Sequence, residues 1–137
     1  VRVLFLCTGN SARSQMAEGW LRHLSAGRVH VYSAGTEPRG LHPLAVRVMA
    51  ERGVDISGQR SKPVSEFQGQ AFDYVVTVCD RARQTCPSFP GAQTLHWDLP
   101  DPVEVQGPEE ERLRAFRSVR DELESRIRAL LDLLEEA

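Results

Sequence analysis

The first six residues, Val1-Arg2-Val3-Leu4-Phe5-Leu6, are nearly continuous in apolar side chains. Such a run suits a strand of a parallel sheet covered on both faces. Apolar or small residues then return at helical spacing at Met16, Ala17, Trp20, Leu21 and Leu24, predicting a helix. Val29, Val31 and Tyr32 predict a short second strand, ended by the turn-forming stretch Ser33-Ala34-Gly35-Thr36-Glu37-Pro38-Arg39-Gly40. A second helix is expected to begin near Pro43, to carry Leu44, Ala45, Val48 and Met49, and to stop before Gly53. A short helix should follow Pro63. Tyr74-Val75-Val76-Thr77-Val78 is the clearest β-branched run and reads as a central strand, with Cys79 at its carboxyl end. A weaker strand, Thr94-Leu95-His96-Trp97, leads into the proline-rich turn Asp98-Leu99-Pro100-Asp101-Pro102. From Pro108 onward Leu113, Phe116, Val119, Leu123, Ile127, Leu130, Leu131 and Leu134 mark one long amphipathic helix, opened by Glu109-Glu110-Glu111 at the positive end of its dipole.

Strands alternating with helices imply right-handed crossovers and an open parallel sheet of the α/β class, whose ligands bind beyond the carboxyl ends of the strands. Cys7 and Cys79 both fall at such ends, which points to one shared site. The length of 137 residues fits a single domain over 1–137, with no repeat, linker or low-complexity tract. With 17 basic and 19 acidic residues the formal charge is -2, so no global field favours nucleic acid or an anionic membrane, and any anion site must be local. No apolar run is long enough to span a membrane and no secretory signal opens the chain, so a cytoplasmic protein is expected. The three cysteines, Cys7, Cys79 and Cys86, are too few and too odd in number for a disulfide framework.

The densest chemistry lies in Cys7-Thr8-Gly9-Asn10-Ser11-Ala12-Arg13-Ser14, a cysteine and an arginine separated by five residues between strand and helix. Such a loop can turn its N–H groups inward at a helix N-terminus and hold a tetrahedral oxyanion. Gly9 is expected to permit the sharp backbone. Arg13 offers a planar fork for two oxyanion oxygens, which a lysine cannot. The same surroundings should lower the Cys7 pKa below the free value of ~8.5 and make it a nucleophile. Asn10 and Ser14 are expected to hold the loop and the sulfur, and Thr8 through Ser14 together form the expected substrate-binding segment. His23, His30, His42 and His96 lack metal-like spacing, so no metal and no cofactor are expected.

This segment, followed by Ser33-Ala34-Gly35-Thr36 and a later Asp-Pro, resembles the low-molecular-weight protein tyrosine phosphatase superfamily over almost the entire chain, and most closely its thioredoxin-coupled arsenate reductases. The resemblance implies a three-layer domain whose four-stranded parallel sheet runs in the order 2-1-3-4. It also implies that Cys79 and Cys86-Pro87 supply the second and third redox thiols, with thioredoxin as reductant; a monomer is expected, although the sequence does not fix the oligomeric state. Asp101 matches the phosphatases' general acid, with Asp98 as its rival. Val103 stands where those phosphatases carry an aromatic that lines a tyrosine-binding cleft. Glu18 and Ser33 match positions near a potassium site in some relatives, but Lys62 replaces an acidic ligand there, so no ion is expected.

Two electrons are needed to take arsenic from +5 to +3, and three thiols can deliver them in relay. If residues 79–86 were helical, the two Cα atoms would lie ~10.5 Å apart, whereas a disulfide requires about 4.4–6.8 Å. The segment must therefore unwind, and Pro87 favours that at the Cys86 end. Two rivals remain: a phosphatase working through Cys7 with Asp101, and a thiol module that binds arsenite or a metal. Arg13 and the positive helix end argue against the second.

Overall fold

A computed structural model of the chain describes residues 1–78 and 89–136. Its sheet has four parallel strands in the order β2-β1-β3-β4: β1 Arg2–Cys7, β2 His30–Gly35, β3 Tyr74–Thr77 and β4 Gln93–His96. Three α-helices accompany it among the described residues, α1 Arg13–Leu24, α2 Pro43–Ala50 and α3 Glu109–Glu136, with 3-10 turns at Val64–Phe67 and Pro102–Glu104. The order of strands and the class of fold are those expected. Cys79 and Cys86, with the helical geometry considered between them, lie outside the described residues.

Burial explains the patterns that predicted these elements. Val3, Leu4 and Phe5 are fully buried because β1 is flanked by β2 and β3 and covered by helices, so a polar residue would face no water on either side. In contrast β4, at the sheet edge, is exposed or half-buried along its length. Helix α1 packs on β1, β2 and α3, and every residue from Arg13 to Leu21 is buried. The Trp20 indole N–H donates to the Arg120 carbonyl of α3 at 3.0 Å. The α3 stripe, Leu113, Phe116, Val119, Leu123, Ile127, Leu130 and Leu134, is buried as its spacing predicts. Each such side chain contributes roughly 1.5–3 kcal/mol on leaving water. A buried Arg120 ties α3 to the end of α2, its Nη1 donating to the Val48 carbonyl at 3.0 Å and to Glu51 at 2.8 Å. Arg117 also binds Glu51, and these hydrogen bonds hold the Glu51 carboxyl down at about 2.

Two expectations need correction. Ser33-Ala34-Gly35, expected as turn, belongs to β2, with Gly35 paired to Cys7. A Cβ on Gly35 would lie 2.6 Å from the Thr8 carbonyl oxygen and 2.8 Å from the Asn10 nitrogen, so this glycine allows close approach to the loop rather than a bend. The last strand begins at Gln93 and ends at His96, although the Trp97 N–H still donates to the Thr77 carbonyl at 2.8 Å.

Candidate active site

The chain leaves β1 at Cys7 and enters α1 at Arg13, so residues 8–12 must reverse direction above the sheet. Their carbonyls are all taken from outside. Thr8 O accepts from the Glu37 N–H at 2.8 Å, Gly9 O from Arg39 at 2.9 Å, and Ser11 O from His42 at 2.9 Å. Asn10 O accepts from the Gln15 amide at 3.0 Å, and Ala12 O from the Met16 N–H at 2.8 Å. With these oxygens engaged elsewhere, the loop can turn its N–H groups toward Cys7, as the Asn10 N–H does at 3.2 Å, and so serve as an anion nest. Helix α1 adds to it: Ala12 provides no side-chain cap and the first turn holds no acid, so the positive end of its dipole is left open.

Asn10 holds this geometry together. It is the loop residue in the left-handed region, at φ 45°, while Gly9 is not in that region. The expectation that Gly9 supplies the sharp backbone is therefore wrong. What Gly9 provides is room, since a Cβ there would meet the Arg39 side chain at 3.3 Å. Asparagine tolerates the left-handed region better than most residues, and here its amide is saturated. Nδ2 donates to Ser14 Oγ at 2.7 Å and Ser33 Oγ at 3.0 Å, and Oδ1 accepts from the Lys62 N–H at 2.8 Å and from Gln15 at 3.1 Å.

Cys7 is 3% exposed; its sulfur accepts the Asn10 backbone N–H at 3.2 Å and lies 2.8 Å from Ser14 Oγ. Because that hydroxyl already accepts from Asn10, its own proton is available for the sulfur. Two donors aimed at one sulfur suit a thiolate better than a thiol. The expected partnership of Asn10, Ser14 and Cys7 is thus present.

Arg13 is also 8% exposed, anchored by backbone oxygens that sequence reading missed: Nη1 donates to Leu99 O at 3.0 Å and reaches Val78 O at 3.5 Å. Its Nη2 lies 3.4 Å from Asp101 Oδ2. Among the described residues these contacts take three of the five guanidinium N–H groups, and the others have no partner. The other oxygen of Asp101 accepts the Val103 N–H at 3.0 Å, which starts the 3-10 turn and fixes the carboxylate. Asp98 is exposed and does not line the site.

Cys7, Thr8, Gly9, Ser11, Ala12 and Arg13 form the floor of a cavity of about 260 Å³, and Asp101 closes one side. Val103, at the position where the phosphatases carry a cleft-lining aromatic, lies on the wall, and the rest of the wall was not foreseen: Arg39, Leu41 and His42. Arg39 is paired with Glu37 at 3.1 Å. His42, which showed no metal-like spacing in the sequence, accepts the Leu44 N–H as the N-cap of α2. The one available signal was Pro43, which at a first helical position makes its predecessor the cap.

Behind the loop, Glu18 is buried, accepts from Ser33 Oγ and from Arg22 Nη2 at 2.6 Å, and lies 3.8 Å from Lys62 Nζ. Burial pushes the Lys62 ammonium down from its ordinary value, against the pull of Glu18. Among the described residues no group of three His, Cys, Asp or Glu side chains is placed to hold a metal.

The arrangement is able to bind a tetrahedral oxyanion and to present a sulfur to its central atom. Comparison with known proteins points the same way. The model of the low molecular weight phosphotyrosine protein phosphatase family matches residues 2–137. An arsenate reductase of Halalkalibacterium halodurans is 44% identical over 131 residues, covering 95% of this chain and 94% of that protein. A solved arsenate reductase in its phosphate-binding state superimposes with a TM-score of 0.82 at 36% identity, covering 96% of each chain. A thioredoxin-dependent arsenate reductase of Corynebacterium glutamicum gives 0.79 at 33% identity, over 98% of this chain and 61% of that one.

Proposed function

This chain belongs to the low molecular weight phosphotyrosine protein phosphatase family, and within it we propose that it reduces arsenate to arsenite, with thioredoxin as the recycling partner. The observation that carries the reading is the Cys7 sulfur, held by Asn10 and Ser14 at the floor of a cavity that Arg13 also lines.

Arsenate binds with its oxygens on the loop amides and the free edge of Arg13. The Cys7 thiolate attacks arsenic and forms an S–As bond, while the nest stabilises the added charge. Asp101, beside Arg13 at the cavity wall, gives a proton to the departing oxygen, which leaves as water. The Cys79 thiolate then attacks the Cys7 sulfur. An S–S bond forms, the S–As electron pair stays on arsenic, and arsenite departs in the +3 state. Cys86 attacks Cys79, which frees the Cys7 thiolate and moves the disulfide to Cys79–Cys86. The two thiols of thioredoxin reduce that bridge, so each turnover oxidises one dithiol and releases one water and one arsenite. Free thiols of this kind belong in a reducing compartment, which favours the cytoplasm. No helix among the described residues is long and apolar enough to cross a membrane.

The test couples arsenate to NADPH oxidation through thioredoxin and its reductase. Wild-type protein should consume NADPH and release arsenite, and Cys86→Ser should stop after a single turnover. An absence of arsenate-dependent NADPH oxidation in the wild type overturns the reading. The second reading, phosphatase action through a Cys7 phosphocysteine, is favoured by Asp101 in the cavity wall. Phosphate and arsenate are near-isosteric, so both activities can share one loop. Hydrolysis of para-nitrophenyl phosphate should then survive Cys86→Ser and vanish in Cys7→Ser.

A further inference from the structure

His42 belongs to two structures at once. It caps α2, and it is one of the residues that line the cavity holding Cys7 and Arg13. Its Nδ1 accepts the Leu44 N–H at 3.1 Å and so carries no proton, which places the single ring proton of the neutral imidazole on Nε2. The ring is set by Phe116 of α3, a fully buried side chain whose centroid lies 4.9 Å away at an interplanar angle of 37°. The His42 backbone N–H donates to Ser11 O, so the residue is tied to the loop itself. Burial, together with Arg112, moves the His42 pKa below its ordinary value, and Asp101 opposes them only in part. The ring is therefore neutral, held in place from two sides, and among the described residues its Nε2–H has no protein partner.

We propose that His42 is a substrate-binding residue whose Nε2–H donates to the oxygen of the bound tetrahedral anion that projects out of the loop toward the cavity mouth. This rests on the oxyanion reading of the site. The loop amides and Arg13 take the inner oxygens, where negative charge is concentrated. The outward oxygen is the one that an ester would carry as its bridging atom, and a bridging oxygen is a weaker acceptor with a carbon in the way. A neutral donor at that point favours a free oxyanion over an ester, and so would set arsenate ahead of aryl phosphates as substrate.

The experiment uses inorganic phosphate as the probe and arsenate as the substrate. His42→Ser keeps a hydroxyl able to cap α2 but loses the ring's packing on Phe116, so it should remain folded with a melting temperature only slightly below wild type, and it cannot reach the anion. Its phosphate dissociation constant and arsenate KM should rise about fivefold, the loss of one neutral hydrogen bond, while the KM for para-nitrophenyl phosphate stays put. A folded variant with unaltered phosphate affinity overturns the proposal. The wild-type protein supplies an independent readout: in nitrogen-15 NMR of the histidine rings, phosphate should move the His42 Nε2–H resonance downfield with the tautomer retained. If phosphate binds, as shown by shifts in the loop amides, and that resonance does not move, the proposal fails alone. If phosphate shifts neither, the oxyanion reading fails with it.

Discussion

Two helices begin at the same cavity, and they begin in opposite ways. Helix α2 satisfies its own start, with the His42 ring accepting the Leu44 N–H and Pro43 removing a donor from the first turn. Helix α1 starts at Ala12, which has nothing to offer, and no acid stands in its first turn. A helix end buried without a cap is ordinarily a fault, because its N–H groups have lost water and gained nothing. On the oxyanion reading, the missing partner is the ligand. The difference teaches where to look for binding energy: the capped helix shapes the wall, whereas the uncapped one forms the floor.

The contrast can be broken most severely at its floor. Cys7→Ser should lower arsenate turnover by at least ~10³-fold. Phosphate should still titrate the loop amides, because the nest is made of backbone rather than sulfur. Arg13→Lys comes next, with a loss of roughly 100-fold in kcat/KM, since an ammonium can neither reach Leu99 O and Asp101 together nor present a planar fork. Asn10→Ala removes the four side-chain hydrogen bonds that hold a left-handed residue in place. Urea unfolding should show about 2–3 kcal/mol less stability, with activity falling in step.

Changes to the capped helix should be smaller and should fall on stability. His42→Ala loses the cap that His42→Ser keeps, about 1 kcal/mol or ~3 °C in melting temperature. The wild-type cap is also sensitive to acid. Because the folded His42 pKa lies below 6.5, the unfolded chain binds the proton more readily. Stability is complete above pH 6.5 and is lost as pH falls through the lowered folded value, where the protonated Nδ1 can no longer accept. Thermal melts of the wild type should show this decline and those of His42→Ser should not. The smallest effect lies at the far end of α2. Glu51, held at about 2 against 4.5, adds stability that is present above pH 4.5 and lost as pH falls through about 2. Since the group is exposed, melts of Glu51→Gln should differ from wild type only slightly in that window.

Much of this molecule could be read from its residues, and the failures share a cause. The buried strand, the long α3 stripe and the cysteine-to-arginine loop are written in side chains that must match their surroundings locally: Val3 to Phe5 by continuous burial, Leu113 to Leu134 by spacing. The end of β2 escaped because Gly35 looks like a turn former until the Thr8 carbonyl is seen pressing on it. Gly9 was given a task that Asn10 performs, since either residue type tolerates a left-handed backbone and only coordinates say which one adopts it. Leu99 and Val78 serve Arg13 through their carbonyls, and a carbonyl has no signature in the sequence. Asp101 and Asp98 were both open as acid candidates; Asp101 lies beside the guanidinium, while Asp98 is exposed away from the cavity.

The segment from Glu37 to His42 takes the carbonyls of Thr8, Gly9 and Ser11 by its own N–H groups. Each peptide plane has a positive edge and a negative edge, and this outer run decides which of them looks inward. If it were detached, a few rotations of those planes would reverse the polarity of the bowl and leave a ring of oxygens suited to cations. The preference for anions is thus enforced by a neighbouring stretch of main chain that need never touch the ligand through those bonds, and it could be rewritten there without changing a residue of the loop.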